Sequence, residues 1–334
     1  MLIRFIFKVR IAGKSVEYRM DASHPFESGW DLLQEAPGEE SPAKLHGILG
    51  LRTPSAGTIL TRGVWGTQCG YRVREVFIKE SEEEGQRGRG IGERFHEETK
   101  YTAGRMGYGL DWQSMPEPYK NYASPIGTIA LPGPLIGQAE NVWEVFGRRR
   151  STRAFSSERS LSLGLLSSLL WSTQGITGKE GEWYFRAAPS AGALYPIETY
   201  ILARAVEGLE QGIYHFRPHL FDLEFIKSGN FAPLLAEAAL GQEMIRDAQA
   251  TFIWTAIVAR STWKYRQRAY RYIYMDAGHI AQNLYLAGTA AGLGVCAVGA
   301  FFDDQVNGLI GIDGVEEITV YLASVGGPRT VAAG

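Results

Sequence analysis

The chain has few cysteines, no long apolar run and almost no net charge, and each shortage excludes a class of protein. Its 334 residues include two cysteines, Cys69 and Cys296, which form no Cys-x-x-Cys pair. A disulfide scaffold and a thiolate zinc site are therefore excluded, and the cytoplasm is favoured. No apolar run reaches the roughly 18 residues that a membrane-spanning helix needs. The basic segment 1–10 is not followed by the apolar stretch of a signal peptide.

The charge balance also bears on partners. The formal net charge is −2 at pH 7, so no global positive field is available to hold a polyanion, and we predict no nucleic acid partner. We predict no membrane association and no metal site either. With 45% hydrophobic and 21% charged residues, the composition is that of a globular α/β protein. Its 40 glycines and 12% aromatic residues suggest loops and pockets shaped around a flat ligand.

The chain divides into three zones. Residues 1–92 contain a predicted hairpin over 2–20 and a charged, glycine-rich linker at 81–92, and form an extension or small accessory unit of unknown role. Residues 93–134 begin with a short helix and continue as an arm rich in proline, tyrosine and tryptophan. This arm cannot fold alone, so it should lie across another surface of this subunit or of a partner. Residues 135–334 form the main domain.

Helices and strands are intermixed in the main domain. A helix is predicted over 163–173, capped by Ser160 or Ser162 and ended by Gly175. The helix at 271–291 is apolar on nearly every side from Ile280 on and should be central, at the core and the interface. The other predicted elements are a helix starting at 141, helices at 231–239 and 242–249, and strands at 183–187, 198–204, 212–216, 221–226, 251–259, 295–300 and 318–325.

Two short motifs could hold a ligand. In 149–155 (RRSTRAF), three arginines and two hydroxyls offer donors suited to a phosphate, although charge alone favours a solvated basic turn. In 188–196 (APSAGALYP), small residues would let the backbone approach a flat ligand and Ser190 offers a donor; the alternative is a plain turn between strands.

A third motif interleaves basic and aromatic residues over 260–272 (RSTWKYRQRAYRY). Stacking on nucleobases is disfavoured by the overall acidity, and a solvated turn at a helix start is an alternative. We favour an active-site loop in which Lys264 and Tyr265 move protons. The surrounding Arg260, Arg266 and Arg268 would favour the neutral amine of Lys264.

Other patterns indicate structure rather than chemistry. Residues 292–300 fit G-x-G-x-x-A, but they close a helix and enter a strand, the reverse of a dinucleotide fingerprint. The apolar surroundings of Cys296 indicate a core residue. His215 and His219 lie in a predicted strand with Pro218 between them, so they are not expected to bind a metal together. A hydrolase triad of Ser190, Asp276 and His279 is disfavoured because no G-x-S-x-G elbow is present.

Taken in order, the motifs resemble nitroreductase-like flavoenzymes, and more closely their SagB-type (thiazole/oxazole-forming) dehydrogenase branch. The matching stretches are 94–101 (RFHEETKY), 149–155, 165–176 (LLSSLLWSTQGI), 188–200, 212–216 (GIYHF), 263–272, 276–287 (DAGHIAQNLYLA), 292–304 and 312–317. The resemblance covers about 93–327 and leaves out 1–92. It implies an α+β fold with a mixed, mainly antiparallel sheet flanked by helices. It also implies a homodimer with FMN at the interface.

The resemblance assigns cofactor-binding roles to particular residues. Arg149, Ser151 and Arg153, with Arg150 between them, match positions that hold the flavin phosphate and ribityl chain. The turn Pro189-Ser190-Ala191 matches one that lies along the isoalloxazine or reaches the partner's flavin. The strand Val298-Gly299-Ala300 matches one whose backbone faces the ring near N5, although many nitroreductases have an acidic residue at the position of Gly299. Arg329 matches a late basic phosphate ligand.

The resemblance also implies a reaction. Lys264 and Tyr265 match the Lys-Tyr pair that deprotonates the ring carbon during azoline oxidation. We therefore expect an FMN-dependent oxidoreductase that converts azolines to azoles in a modified peptide, with heterocycle-forming proteins as possible partners. The alternatives are an NAD(P)H-dependent reductase of nitro compounds or quinones, and a non-catalytic flavin-binding scaffold within a peptide-modifying complex.

Overall fold

The chain divides into two compact units, Met1–Glu98 and Thr99–Gly334. The structure is a computed structural model that describes residues 3–11, 14–22, 72–80, 90–101, 109–135, 140–181 and 183–329. Most of the predicted linker at 81–92 lies outside these residues. The predicted three-zone division stays a prediction.

The first unit contains a three-stranded antiparallel sheet. Its strands are β1 (Ile3–Ile11), β2 (Lys14–Ala22) and β3 (Arg72–Glu80), in the order β2-β1-β3, and its helix is α1 (Ile91–Glu98). Strands β1 and β2 pair in antiparallel register from Ile3 opposite Ala22 to Ile11 opposite Lys14. The predicted hairpin over 2–20 is therefore confirmed.

The second unit contains the larger sheet. Its described strands are β4 (Gly127–Ala130), β5 (Ile176–Glu180), β6 (Trp183–Arg186), β7 (Ile197–Ala203), β8 (Gly212–Arg217), β9 (Asp222–Ser228), β10 (Ala250–Ile257), β11 (Gly294–Val298) and β12 (Glu317–Gly326). Its described helices are α2 (Val142–Arg148), α3 (Leu163–Gln174), α4 (Ala232–Ala238), α5 (Met244–Asp247), α6 (Val258–Tyr265), α7 (Ala269–Ala290) and α8 (Asp303–Ile310). Within the described ranges, no helix is long and apolar enough to cross a bilayer.

Seven strands form the central sheet in the order β11-β12-β10-β7-β8-β9-β4, and neighbouring strands are antiparallel. Alternate side chains of β10 enter two cores: Phe252 and Trp254 pack on the face covered by α3 and α7, whereas Ile253 packs on the face of α4 and α8. A strand covered on both faces is expected to be mainly apolar, as β10 is apart from Thr251 and Thr255. The predicted α+β fold with a mainly antiparallel sheet is confirmed.

Capping residues set the helix ends as the sequence indicates. The Ser162 hydroxyl accepts a hydrogen bond from the backbone N–H of Leu165 (3.2 Å), and α3 ends at Gly175. The Asn141 side chain accepts from the N–H of Trp143 (2.9 Å) at the start of α2. These bonds satisfy N–H groups that have no partner within a helix.

The long helix α7 has one buried side and one exposed side. One side packs into the core through residues such as Ile273, Ile280 and Leu284. The opposite side is exposed, with Tyr274 and Met275 55% and 56% accessible. The helix therefore covers the sheet rather than being enclosed, and it presents a partly apolar stripe outward.

The arm lies on its own subunit in the described range 109–135. Strand β4 pairs with β9 at the edge of the sheet. The Lys120 ammonium donates to the Tyr200 hydroxyl (2.7 Å) and pairs with Glu317. The Trp263 indole donates to the carbonyl of Asp111 (2.8 Å). These bonds hold the arm against α6 and the sheet, beside the site described next.

Candidate functional site

The basic segment 149–153 leaves the end of α2 and runs beside strand β11. Arg150 donates from Nη1 to the carbonyl of Gly147 (3.0 Å), which satisfies one of the last carbonyls of α2. The Thr152 N–H bonds the backbone of β11 (2.9 Å). A Cβ on Gly294 would lie only 2.6 Å from the Thr152 side chain, so glycine is needed for this close approach.

Tyr285, on α7, joins this segment to β11. Its hydroxyl accepts from the Ala297 N–H (2.8 Å) and lies 2.9 Å from the Ser151 hydroxyl. The Arg149 guanidinium stands 5.3 Å from the centre of its ring. The phenol can give its own hydrogen to Ser151, which leaves the serine hydrogen for a ligand oxygen. No sequence motif indicates Tyr285, because its role depends on contacts that are distant in sequence.

Three guanidinium groups belong to the segment, and the backbone of Arg329 meets its end at Ala154. Among the described residues, no carboxylate lies within 4 Å of Arg149, Arg150 or Arg153. Arg329 donates its backbone N–H to the segment (2.9 Å), and its exposed guanidinium lies 3.2 Å from Asp247. Guanidinium groups without carboxylate partners are suited to a phosphate dianion. We call Arg149, Arg150, Ser151, Arg153 and Arg329 the arginine cluster.

The strand predicted over 295–300 ends earlier than expected. Strand β11 stops at Val298, its last residue paired with β12, so Gly299 and Ala300 follow the strand rather than belong to it. Both of these residues are exposed, and the Ala300 carbonyl accepts a hydrogen bond from Gln242 Nε2 (3.1 Å). Cys296 is buried within β11, and burial raises the pKa of its thiol, as expected of a core residue.

The small-residue turn is fixed to helix α7 by a carboxylate. The Ser190 hydroxyl donates to Asp276 Oδ2 (2.6 Å), and the Ala191 N–H donates to Oδ1 (3.3 Å). Burial raises the pKa of Asp276, and the bond from Ser190 opposes that rise. Since the serine gives its hydrogen directly to the carboxylate, the Ser190–His279–Asp276 triad does not form.

The turn has an unusual backbone and packs against the Lys-Tyr pair. Gly192, Ala193 and Tyr195 have φ values of 66°, 54° and 45°, a left-handed region that L side chains rarely adopt. A Cβ on Gly192 would lie 2.5 Å from the Tyr265 hydroxyl and 2.9 Å from Lys264 Nζ. Pro189–Ala191, Lys264, Tyr265 and Asp276 therefore meet, and we call them the turn cluster.

The expected active-site loop over 260–272 is wrong, because most of it is helical. Lys264 and Tyr265 occupy the last turn of α6, and Arg266, with φ of 50°, ends that helix before α7 begins. Lys264 is exposed, whereas Tyr265 is half-buried. Burial raises the pKa of Tyr265, so the phenol is protonated at neutral pH.

Two of the arginines near Lys264 are held by other groups. Arg260 is buried and pairs with Glu198. Arg268 donates to the Thr99 carbonyl (2.7 Å) and to the Tyr272 hydroxyl (2.8 Å). Their expected effect on Lys264 stays a prediction.

The two clusters lie on different sides of α7. Asp276 and Tyr285 are nine residues apart, which is two and a half turns, or roughly 13 Å at 1.5 Å per residue. Their side chains therefore leave opposite faces of the helix. The two clusters of one copy of the chain thus face different directions.

A pocket of about 300 Å³ lies beside the turn cluster, and no sequence motif predicts it. Its walls are mainly aromatic and proline side chains from the arm, the β5–β6 hairpin and the turn, together with two buried arginines. The lining residues are Trp112, Met115, Pro116, Pro118, Tyr119, Trp183, Tyr184, Arg186, Ala193, Leu194, Tyr195 and Arg260.

A buried ionic network leads from this pocket into the sheet. Arg260 pairs with Glu198, whose other oxygen lies 2.8 Å from His215 Nε2. His215 Nδ1 lies 2.9 Å from Glu224. Burial would raise the pKa of Glu198, but Arg260, His215 and Arg186 together lower it to about 2. His215 thus has carboxylates on both ring nitrogens, whereas His219 stacks on Tyr119 at 4.1 Å.

Comparison with known proteins gives a family match. Residues 147–327 match the nitroreductase family. A protein of Methanocaldococcus jannaschii that carries the name nitroreductase is 38% identical over 183 residues, which are 55% of this chain and 89% of that protein. A crystal structure described as a nitroreductase from Anabaena variabilis superposes with a TM-score of 0.58 at 28% identity. It covers 78% of this chain and 56% of that one.

Two further relatives are peptide-processing proteins. The trifolitoxin-processing protein TfxB of Rhizobium leguminosarum bv. trifolii is 36% identical over 118 residues, 34% of this chain and 32% of that protein. The microcin B17-processing protein McbC of Escherichia coli is 28% identical over 144 residues, 42% of this chain and 52% of that protein. The chain thus spans only a third to a half of these two relatives.

Proposed function

The chain belongs to the nitroreductase family, and from this membership we propose that it is an FMN-dependent oxidoreductase that converts azoline rings to azoles in a modified peptide. The family supports oxidoreductase chemistry. The names of TfxB and McbC favour a peptide substrate and peptide-modifying partners. The observation that carries the proposal is the packing of Lys264 and Tyr265 against Gly192 of the small-residue turn.

The arginine cluster fits the phosphate and ribityl end of FMN. Arg149, Arg150 and Arg153 have no carboxylate within 4 Å in the described part of the chain, so a phosphate would supply the missing negative charge. Ser151 would donate to the same end. Past Val298, the exposed backbone of Gly299 and Ala300 would lie towards the ring. When bound, FMN supplies the two-electron acceptor for the hydride that leaves the azoline.

A second copy of the chain completes this arrangement. Because the arginine cluster and the turn cluster face opposite sides of α7, the turn cluster of one copy would complete the site on the other. The exposed stripe of α7, which includes Tyr274, Met275 and Gly278, would supply contact surface for a homodimer.

The protein's own groups would handle the proton. Oxidising an azoline removes a hydride from one ring carbon and a proton from its neighbour. Lys264, as the free amine, would take that proton at Nζ. Tyr265, which is protonated at neutral pH, would donate a hydrogen bond to the ring heteroatom. The bonds from Ser190 and Ala191 to Asp276 would hold the turn against both groups.

The test is turnover of a thiazoline peptide by the purified protein and by Lys264→Ala. We expect Lys264→Ala to retain yellow bound flavin and to lose at least 100-fold in turnover, with partial rescue by added methylamine. Lys227→Ala, an exposed lysine on β9, is the matched control and should keep full activity. Normal turnover in Lys264→Ala would disprove the role of Lys264.

The relative from Methanocaldococcus jannaschii favours a second candidate, an NAD(P)H-dependent reductase of nitro compounds or quinones. Such a reaction needs no base for a carbon-bound proton. A wild-type protein that reduces nitroarenes with NADPH, ignores thiazolines and tolerates Lys264→Ala would indicate this candidate. A yellow protein that no donor reduces would indicate a scaffold.

A further inference from the structure

The aromatic pocket lies next to the proposed proton acceptor. Arg260 lines the pocket and precedes Lys264 by four residues on α6, which places the two side chains one turn apart on the same side of the helix. Ala193, Leu194 and Tyr195 of the strained turn form another wall. A ligand in this pocket would therefore be next to the turn cluster.

Arg186 is a buried cation in the pocket wall without a carboxylate of its own. It is 8% accessible. Gln174 accepts a hydrogen bond from Nη1 (2.7 Å), and the rings of Tyr195 and Tyr119 lie 4.6 and 5.8 Å from the guanidinium carbon. In the part of the chain that the structure describes, no carboxylate lies within 4 Å of it. An unpaired buried charge is costly, so a counter-ion would stabilise this arrangement.

The nearby carboxylate is already shared. One oxygen of Glu198 pairs with Arg260 and the other contacts His215. Two guanidinium groups thus line the pocket, while one carboxylate stands behind them. Burial lowers the pKa of Arg186 to about 10, with Glu198 opposing the shift, so the cation is incompletely compensated. The wall of the pocket carries an excess of positive charge.

The other walls select for shape. Tyr119, Trp183, Tyr184 and Tyr195 provide flat apolar surface, and about 300 Å³ is the size of a pocket for a small ring with a few substituents. We propose that this pocket binds a flat five- or six-membered ring that bears a free carboxylate, and that Arg186 binds the carboxylate. Resting on the proposed function, the ligand class is an azoline carboxylate: the ring formed from the last residue of a peptide, which keeps the terminal carboxylate.

Binding of an unreactive product analogue tests the pocket separately from catalysis. Thiazole-4-carboxylate and thiazole-4-carboxamide have nearly the same shape, but only the first carries a negative charge. Quenching of tryptophan fluorescence in the FMN-loaded protein reports their binding, since Trp112 and Trp183 line the pocket. We expect the carboxylate to bind at least 10-fold more tightly than the amide. Arg186→Gln should abolish this preference, Arg186→Lys should retain part of it, and Arg148→Gln, an exposed arginine on α2, should leave it unchanged.

The outcomes separate the two proposals. Equal affinity for the two probes, or a preference that survives in folded, flavin-loaded Arg186→Gln, would overturn the carboxylate assignment. If Arg186→Gln does not fold, the preference for the carboxylate probe is measured in Arg186→Lys instead. This variant keeps the charge but loses the planar fork that fits a carboxylate, so its preference should be reduced. Preferential carboxylate binding in a protein without azoline turnover would leave the pocket assigned and refute the reaction. Azoline turnover by a protein that does not prefer the carboxylate probe would support the reaction and refute the assignment of the pocket.

Discussion

The Ser190 hydroxyl and the Asp276 carboxylate are 2.6 Å apart, although 86 residues separate them in the chain. This bond, with a second from the Ala191 N–H, attaches the turn between β6 and β7 to the middle of α7. A charged acceptor that is mostly withdrawn from water makes such bonds stronger than neutral ones. The position of the turn, and of the Lys264–Tyr265 pair packed on it, therefore depends on one carboxylate.

Asp276→Asn should weaken this attachment. We expect the free energy of unfolding to fall by about 1–2 kcal/mol at pH 4, and the azoline turnover to fall with it. Because burial raises the pKa of Asp276, its contribution to stability is greatest at low pH and is lost as the pH rises through the raised value. The stability difference between wild type and variant should therefore shrink from pH 4 to pH 7. Urea unfolding at both pH values measures the difference in the free energy of unfolding, with the exposed-residue variant Asp304→Asn as control. A difference that grows from pH 4 to pH 7 would contradict this account.

Glu198→Gln should be strongly destabilising, since it leaves Arg260 buried without a counter-ion. We expect a loss of about 3–5 kcal/mol at pH 7. The pKa of Glu198 is lowered to about 2, so its contribution is present above the ordinary carboxyl pKa of about 4.3 and is lost as the pH falls towards 2. Urea unfolding of both proteins between pH 7 and pH 3 should show the difference narrowing at the acid end. A loss below 1 kcal/mol at pH 7 would show that the Arg260–Glu198 ion pair contributes little to the free energy of unfolding.

Tyr285→Phe should weaken flavin binding without removing any side chain of the arginine cluster. The phenol holds both the Ala297 N–H and the Ser151 hydroxyl, so its loss leaves the segment 149–153 less ordered. One to two hydrogen bonds at about 1 kcal/mol each correspond to a Kd for FMN raised about 5- to 30-fold. Fluorescence titration of the apoprotein with FMN measures it. Tyr101→Phe, at an exposed tyrosine outside both the arginine cluster and the stripe of α7, should leave the Kd unchanged. An equal rise in the Kd of both variants would contradict the role of Tyr285.

Met275→Glu should separate the proposed homodimer and release FMN at the same time. Met275 lies on the exposed stripe of α7, and a carboxylate there would be buried without a partner in a dimer. Sedimentation velocity and flavin content should therefore change together. Leu234→Glu adds the same charge at an equally exposed apolar position on α4 and should alter neither. A monomeric variant that keeps its flavin would show that one copy suffices.

The sequence was informative where a structural signal is local. Asn141, Ser162 and Gly175 predict the ends of α2 and α3 because capping depends on neighbours within four residues. The apolar run in β10 indicates a strand covered on both faces. The glycines at 292 and 294 lie where α7 ends and β11 begins, as the apolar helix before them and the apolar strand after them predict.

The sequence was uninformative where residues meet through the sheet. Glu198, His215 and Glu224 come from β7, β8 and β9, and their contact depends on a register that periodicity does not specify. Arg186 and Gln174 likewise meet only after α3 and β6 have packed. The helix α6 was missed because alternating basic and aromatic residues resemble a loop, although one side of that helix is buried through Val258 and Ser261.

Ala193 and Tyr195 hold a left-handed backbone that glycine would adopt without penalty. The surrounding packing, and not the intrinsic preference of these residues, keeps them in place. The Tyr195 side chain accepts a hydrogen bond from the Arg186 N–H, whereas Ala193 makes no such bond, so selection for heat resistance would favour glycine at Ala193. The more stable proteins so obtained would have a freer turn beside Lys264. For this protein, resistance to heat and catalytic competence would be opposing objectives in laboratory evolution.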